Sequence, residues 1–261
     1  MVNDDAVRTE IDTDARIGTV TLSRPGQRNP LSTSAMRQVT AALREFATNE
    51  SVRVVVITAD GPVFSAGHDL SEMIDRTLDD ERAVFDVCTE MMNTVQQIPQ
   101  PVIAAVQGPA IAAGCQLAAS CDLVVAASTA VFGTPGVRIG LFCSTPMVAL
   151  SRSVGRKRAM QMLLTGETVD AHTAADWGLV NLVVEPDQLD TQTRTLAARI
   201  SDASPLTLQI GKQAFYRQID VPQDEAYKLM SETMAANAVT CDAQEGMSAF
   251  LAKRKPVWQG K

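Results

Sequence analysis

No apolar run in this chain approaches the ~20 residues needed to span a bilayer. The longest candidate, residues 102–127, is broken by Gln107, Pro109, Gln116 and Asp122. The N-terminus, MVNDDAVRTE, has neither the basic start nor the apolar stretch of a secretion signal. There is no basic surplus either. The formal charge is −7, which argues against nucleic acid or an anionic membrane as the main partner, and any polyanionic ligand must meet a local basic patch. The five cysteines (Cys88, Cys115, Cys121, Cys143 and Cys241) contain no CxxC pair and have no clustered histidines beside them. That excludes a disulfide framework and a Cys/His metal centre, and reads as reduced, mostly core thiols in a cytoplasmic protein. A dinucleotide fingerprint GxGxxG, a phosphate loop ending in GKS or GKT, and a GxSxG nucleophile elbow are all missing. No metal and no separate cofactor is expected.

What is present suits an ordinary folded domain. With 261 residues, 46% apolar and 20% charged, the chain can bury a sizeable core, and no linker or low-complexity segment divides it. Residues 17–22 (IGTVTL) and 53–58 (RVVVIT) read as strands. Between them, Ser32 to Thr48 places Met36, Val39, Ala42, Leu43 and Phe46 at helical spacing, with Ser32 as N-cap. A helix near 81–97, a strand at 102–106, an Ala-rich stretch, and strands at 122–126 and 131–132 follow. From Thr145 the spacing predicts helices over 146–153, 156–164, 170–176, 187–201, 204–217, 223–237 and 242–252, interrupted by one strand at 179–184. Pro186, Pro205 and Pro222 fall where helices begin. The alternation predicts an α/β fold with an all-helical C-terminal third.

Two segments could carry chemistry. Phe64-Ser65-Ala66-Gly67-His68-Asp69-Leu70 follows the second strand; its small residues let backbone approach a ligand, and Asp69 with Glu72 resembles a helix cap and its partner. Unpaired N–H groups near His68 would then point outward. Pro109 to Ala118 leads from a strand into a helix of small residues, and a helix start offers free N–H groups and partial positive charge. Taken singly, each segment reads better as an ordinary structural feature, the first a strand-to-helix turn and the second a tightly packed small-residue core helix. Together they can supply two donors to one oxygen.

In order and spacing, the chain resembles the enoyl-CoA hydratase/isomerase (crotonase) family over nearly its full length. The matching stretches are Ser23-Arg24-Pro25 with Asn29-Pro30-Leu31, FSAGHDL at 64–70, AAGCQLAASCDLVVA at 112–126, FGTPGVRIGL at 132–141, LLTGE at 163–167, GLVN at 178–181 and EGMSAFLAKRKPVW at 245–258. The resemblance implies a crotonase spiral of ββα repeats over residues 1–200. It also implies a C-terminal helical trimerisation region over 201–261, giving a homotrimer or a hexamer of stacked trimers. The ligand implied is an acyl-CoA thioester, with CoA part of the substrate. Carried onto this chain, its carbonyl oxygen accepts from the N–H groups of His68 and Ala113, the latter a position where the family usually has Gly. Gln27, Arg28 and the backbone of Ala66 would face the adenosine part. Phe250 and Lys253 of a neighbouring subunit would meet adenine and the 3′-phosphate, with Lys253-Arg254-Lys255 as the basic patch. The acyl wall is expected from residues 73–85 and the helices after Thr145.

The chain departs from the family at the positions of its hydratase glutamates. One falls on Gln116, two residues after the Gly of the second segment; the other falls on Gly136, four after the Phe of the FGxPE pattern. A later acidic position used by some isomerases is Ser144. Gln exchanges no proton near neutral pH and Gly has no side chain, so ordinary hydration should be weak or absent. His68, Gln116, Cys143 and Ser144 remain as polar candidates in a pocket expected to be polar. Three functions stay open: a CoA-thioester lyase or isomerase working without the glutamates, of which methylmalonyl-CoA decarboxylase-like members are one model; a non-catalytic acyl-CoA carrier or sensor; and a conventional hydratase/isomerase.

Overall fold

The β-branched runs do form the sheet. The computed structural model describes residues 6–261, so residues 1–5 of the polar N-terminus lie outside the described residues. The strands are β1 (Val7–Asp12), β2 (Ile17–Leu22), β3 (Val54–Ala59), β4 (Val102–Val106), β5 (Ala110–Ile111), β6 (Leu123–Ala127), β7 (Val131–Gly133), β8 (Thr168–Asp170) and β9 (Leu182–Val184). The helices are α1 (Thr33–Ala47), α2 (Leu78–Gln97), α3 (Ala113–Ser120), α4 (Pro146–Ser153), α5 (Arg156–Thr165), α6 (Ala171–Asp176), α7 (Leu189–Ser201), α8 (Pro205–Gln218), α9 (Gln223–Ala238) and α10 (Cys241–Leu251).

The larger sheet has the order β1-β2-β3-β4-β6-β9, parallel except for β1 against β2, and β5-β7-β8 form a smaller one. Every residue of β4 is buried, which is why its run is apolar without alternation. One face packs on α1 through Met36, Val39, Leu43 and Phe46, and on α2 through Met91 and Val95; α7 covers the other face. Because β2, β3 and β4 run parallel, the loops that follow them (residues 23–32, 60–70 and 107–112) gather at one end of the sheet.

Several boundaries differ from the sequence expectation, each for a local reason. β1 is an edge strand with half its residues exposed, so it lacks an apolar pattern. β5 and β8, two and three residues long, are too short to have a period. α2 begins at Leu78, before its apolar spacing starts, because Thr77 and Asp80 cap each other. The expected strand at 179–184 keeps only its last three residues: Gly178 at φ +94 and the Asn181 side chain, bonded to the Val124 amide, turn the chain first.

The C-terminal helices are fastened to the core by one buried cation. Lys212 donates to the Val95 and Gln100 carbonyls at 2.7 and 2.8 Å and pairs with Asp122 at 2.8 Å. Tyr216 and the Val102 amide also donate to Asp122. Beyond that anchor, Phe215, Met234, Val239, Phe250 and Leu251 stand exposed on α8 to α10 and the residue after α9. Among the described residues no helix is long and apolar enough to cross a membrane, and no group of three or more His, Cys, Asp or Glu could hold a metal ion.

Candidate functional site

Asn29 fixes the first loop. Its amide group donates to the Asp60 and Val63 carbonyls at 2.9 and 2.7 Å, and its Oδ1 accepts from the Arg24 amide. The loop after β2 is thereby stitched to the loop after β3, where Ala66 donates to the Arg28 carbonyl and Leu31 to the Gly67 carbonyl. Asn29 thus explains why the Asn-Pro-Leu motif belongs with FSAGHDL.

The turns after β3 and β4 meet edge to edge. Ser65 donates to Pro109, and Ile111 donates back to Ser65. Gly67 sits at φ +97, and a Cβ there would lie 2.9 Å from the Ala112 methyl and 3.3 Å from the Ala113 amide nitrogen. Only Gly serves, on conformation and on space. Ala112 adopts φ 51, ψ −114, a glycine-like conformation, while its amide donates to Gly133 at 2.8 Å. That kink starts α3 and leaves the Ala113 amide as its first N–H. Neither the Ala113 amide nor the His68 amide donates to any described group. Two free donors on adjacent turns can hold one oxygen that gains negative charge.

Both turns border a cavity of about 800 Å³, lined also by Gln27, Ala66, Leu70, Phe85, Ile111, Gly136, Arg138, Leu141, Phe142, Cys143 and Ser144. Of the residues singled out from the sequence, Gln27, Ala66, His68, Ala113, Gly136, Cys143 and Ser144 therefore come together. Arg28 is exposed outside the lining, its carbonyl holding Ala66. Phe250 is 83% exposed, and it and Lys253 stand away from this cavity. Arg254 of the expected basic patch is committed to Glu245, with contacts of 2.6 and 2.8 Å that lower the Glu245 pKa to about 2. Of residues 73–85, only Phe85 reaches the cavity; the wall is built instead by the segment 135–146. The expected polar pocket is mostly apolar for that reason.

Gln116 is buried on α3, with Oε1 3.9 Å from the Cys88 sulfur of α2, and is not among the lining residues of the cavity. At Gly136 the obstacle is backbone. A Cβ would stand 2.0 Å from the Leu141 carbonyl oxygen and 2.8 Å from the Cys143 sulfur, because the chain folds back through a Leu141-to-Gly136 hydrogen bond. Asp69 is the one carboxylate on the lining, and its Oδ1 is taken by the Ser71 amide and hydroxyl. Asp69 does cap the 3₁₀ turn Leu70–Glu72, as expected, but Glu72 does not reach back to it as a partner. Glu72 turns to the start of α1, accepting from the amide and hydroxyl of Thr33.

Burial works against charge on His68 and on Cys143. Burial lowers the His68 pKa, offset in part by the Leu31 main chain and Glu72, and neither ring nitrogen has a hydrogen-bond partner; the ring meets Phe85 edge-on. Burial raises the Cys143 thiol, so it is a poor nucleophile at neutral pH. His172, exposed on α6, does not line the cavity. Arg138, on the 3₁₀ turn Pro135–Ile139, carried no separate signal in the sequence.

Residues 12–261 match the family model described as enoyl-CoA hydratase/isomerase. The chain belongs to that family. Among relatives of this crotonase-family chain, the mouse (Mus musculus) enoyl-CoA hydratase domain-containing protein 3, mitochondrial, is 46% identical over 93% of this chain and 81% of its own length. Two crystal structures superpose with a TM-score of 0.94: an enoyl-CoA hydratase from Mycobacterium smegmatis, 45% identical over 97% of this chain and 98% of that one, and human enoyl-CoA hydratase domain-containing protein 3, 42% identical over 97% and 100%. The fold is that of the crotonases, with mixed sheets and C-terminal helices.

Proposed function

We propose that this chain binds an acyl-CoA thioester, polarises its carbonyl through the amides of His68 and Ala113, and reacts through that polarisation without hydratase glutamates. The unpartnered amides of His68 and Ala113, on adjacent turns that both border the cavity, carry this reading. The positions that would hold the glutamates support its second half, since Gln116 lies outside the lining and Gly136 is closed by Leu141. One oxyanion donor contributes roughly 10²–10³-fold and a positioned acid or base roughly 10²–10⁴-fold. A hole without carboxylates therefore suits steps that need an electron sink, such as enolate formation by loss of carbon dioxide, better than addition of water.

The test is turnover of a thioester panel (saturated, enoyl, β-hydroxy and malonyl-type) by the pure protein, followed by mass spectrometry. Conversion of one member with crotonyl-CoA hydration near background supports the proposal; crotonyl-CoA hydration at an ordinary enzyme rate overturns it. Tight binding with no conversion favours the second reading, a carrier, which rests on the engagement of Asp69 by Ser71. The exposed apolar residues of α8 to α10 support assembly of residues 201–261 into a trimer or hexamer, in which a neighbour's Phe250 and Lys253 would meet CoA. Light scattering tests the assembly. The mouse relative is named as mitochondrial; for this chain a cytoplasmic location, drawn from its reduced thiols, stands as a proposal.

A further inference from the structure

We propose that Arg138 reads a second negative charge on the acyl group, so that the cavity takes half-thioesters of dicarboxylic acids in preference to plain alkyl thioesters. This rests on the thioester reading of the same cavity. The charged side chains on the lining are few. His68 is held neutral by burial, and Asp69 is bound by Ser71. Arg138 remains, with no ion pair or hydrogen bond to any described residue. Arg138 is exposed and solvated, and what sets it apart is its place: it is the one Lys or Arg on the lining of a mostly apolar cavity.

Its placement is supported as well as vacant. Nε and Cγ of Arg138 lie 3.1 Å from where a Cβ on Gly166 would stand, so the stem is laid against the left-handed glycine that ends α5. Gly166 leaves room for that stem, and the fork stays free for a ligand. Arg138 follows Gly136 by two residues, on the segment 135–146 that walls the cavity, whereas the turns of Gln27 and Ala66, proposed for the CoA side, come from other parts of the chain. A wall meant only for an alkyl tail needs no charge, whereas the guanidinium fork matches a carboxylate in two parallel hydrogen bonds. A phosphate of CoA has related chemistry, and the test separates the two.

Titration calorimetry on the intact protein would compare butyryl-CoA, succinyl-CoA, glutaryl-CoA and free CoA, for the parent, Arg138→Gln and Arg138→Lys. The parent should bind succinyl- or glutaryl-CoA about 10–100-fold tighter than butyryl-CoA. Arg138→Gln should abolish that preference and leave butyryl-CoA and free CoA unchanged, with Arg138→Lys regaining part of it. No preference in the parent, or an equal loss for free CoA in Arg138→Gln, overturns the proposal and in the second case assigns the residue to a CoA phosphate. Failure of butyryl-CoA itself to bind the parent overturns the thioester reading, and this inference with it.

Discussion

Replacing Gly136 with alanine places a methyl group 2.0 Å from the Leu141 carbonyl oxygen and 2.8 Å from the Cys143 sulfur. The sulfur ends a side chain that can swing aside. The oxygen is main chain, in a turn closed by the 3.0 Å bond from the Leu141 amide to the Gly136 carbonyl. Restoring ordinary contact moves that oxygen by more than about 1 Å. Overpacking of this kind costs about 1–3 kcal/mol, and a stretched turn bond adds about 1 kcal/mol. The expected loss is about 2–4 kcal/mol, which at about 2–4 °C per kcal/mol is a fall in Tm of roughly 5–15 °C. Thermal and urea denaturation both read it. Because the oxygen sets the cost, adding Cys143→Ala should recover less than about 1 kcal/mol. The same geometry predicts that Gln116→Glu with Gly136→Glu leaves crotonyl-CoA hydration near background, since the second carboxylate has no space until the 136–143 turn opens. A Gly136→Ala protein as stable as the parent, or a double variant that hydrates at an ordinary enzyme rate, refutes this account of the wall.

Ala112→Gly should raise stability by about 1 kcal/mol in urea denaturation: relief of roughly 1–3 kcal/mol of strain at φ 51 outweighs about 0.4–1 kcal/mol of added freedom in the unfolded chain. Lys212→Met should lose about 3–5 kcal/mol by the same assay, because it strands Asp122 and two carbonyls in the core. For His68 the folded pKa lies below the ordinary 6.5, so below pH 6.5 the unfolded chain binds the extra proton. Its contribution to stability is then complete above pH 6.5 and falls as the pH drops toward the folded value, by up to about 1.4 kcal/mol per pH unit. Denaturation midpoints between pH 7 and 5 should show that slope in the parent and lack it in His68→Gln.

The parts of the fold legible in the sequence are those where one local rule acts alone. Ser32 caps α1 by accepting from the Ala35 amide, and Met36, Val39, Leu43 and Phe46 follow at one face, so cap and period agree. The turns bearing His68 and Ala113 were legible because Gly and Ala runs after strands leave few alternatives for the backbone. The cavity wall was not. Segment 135–146 turns inward at Gly136, where a Cβ would meet the Leu141 carbonyl, and is capped by Gly140 in the left-handed region; those glycines mark a turn, but neither composition nor period says that it walls a cavity. Glu72 shows the same limit: its spacing from Asp69 fits a capping pair, yet Thr33, 39 residues away in sequence, offers two donors and wins it. Gln116 stands in the right register to face a ligand, and only the packing of Cys88 on α2 against it shows that it faces the core instead.

A carrier and a carbonyl-polarising enzyme make different demands on Ala112. Holding an acyl tail requires an apolar cavity, which the walls at 66–71 and 135–146 already supply. It does not require a non-glycine residue held at φ 51, ψ −114 at a cost of about 1–3 kcal/mol. That kink does one thing visible in the structure: it starts α3 so that the Ala113 amide is its first N–H, against Gly67 and beside the cavity. An oxyanion donor returns about 2.7–4 kcal/mol in a transition state, whereas a neutral ground-state carbonyl returns only about 0.5–1.5 kcal/mol. The surrounding fold holds the strain with or without ligand, so the donor is positioned in advance, and most of its return comes where negative charge develops on the bound oxygen. On that comparison the geometry at Ala112 favours chemistry at the thioester over simple carriage, and the panel of CoA thioesters is the experiment on which that preference stands or falls.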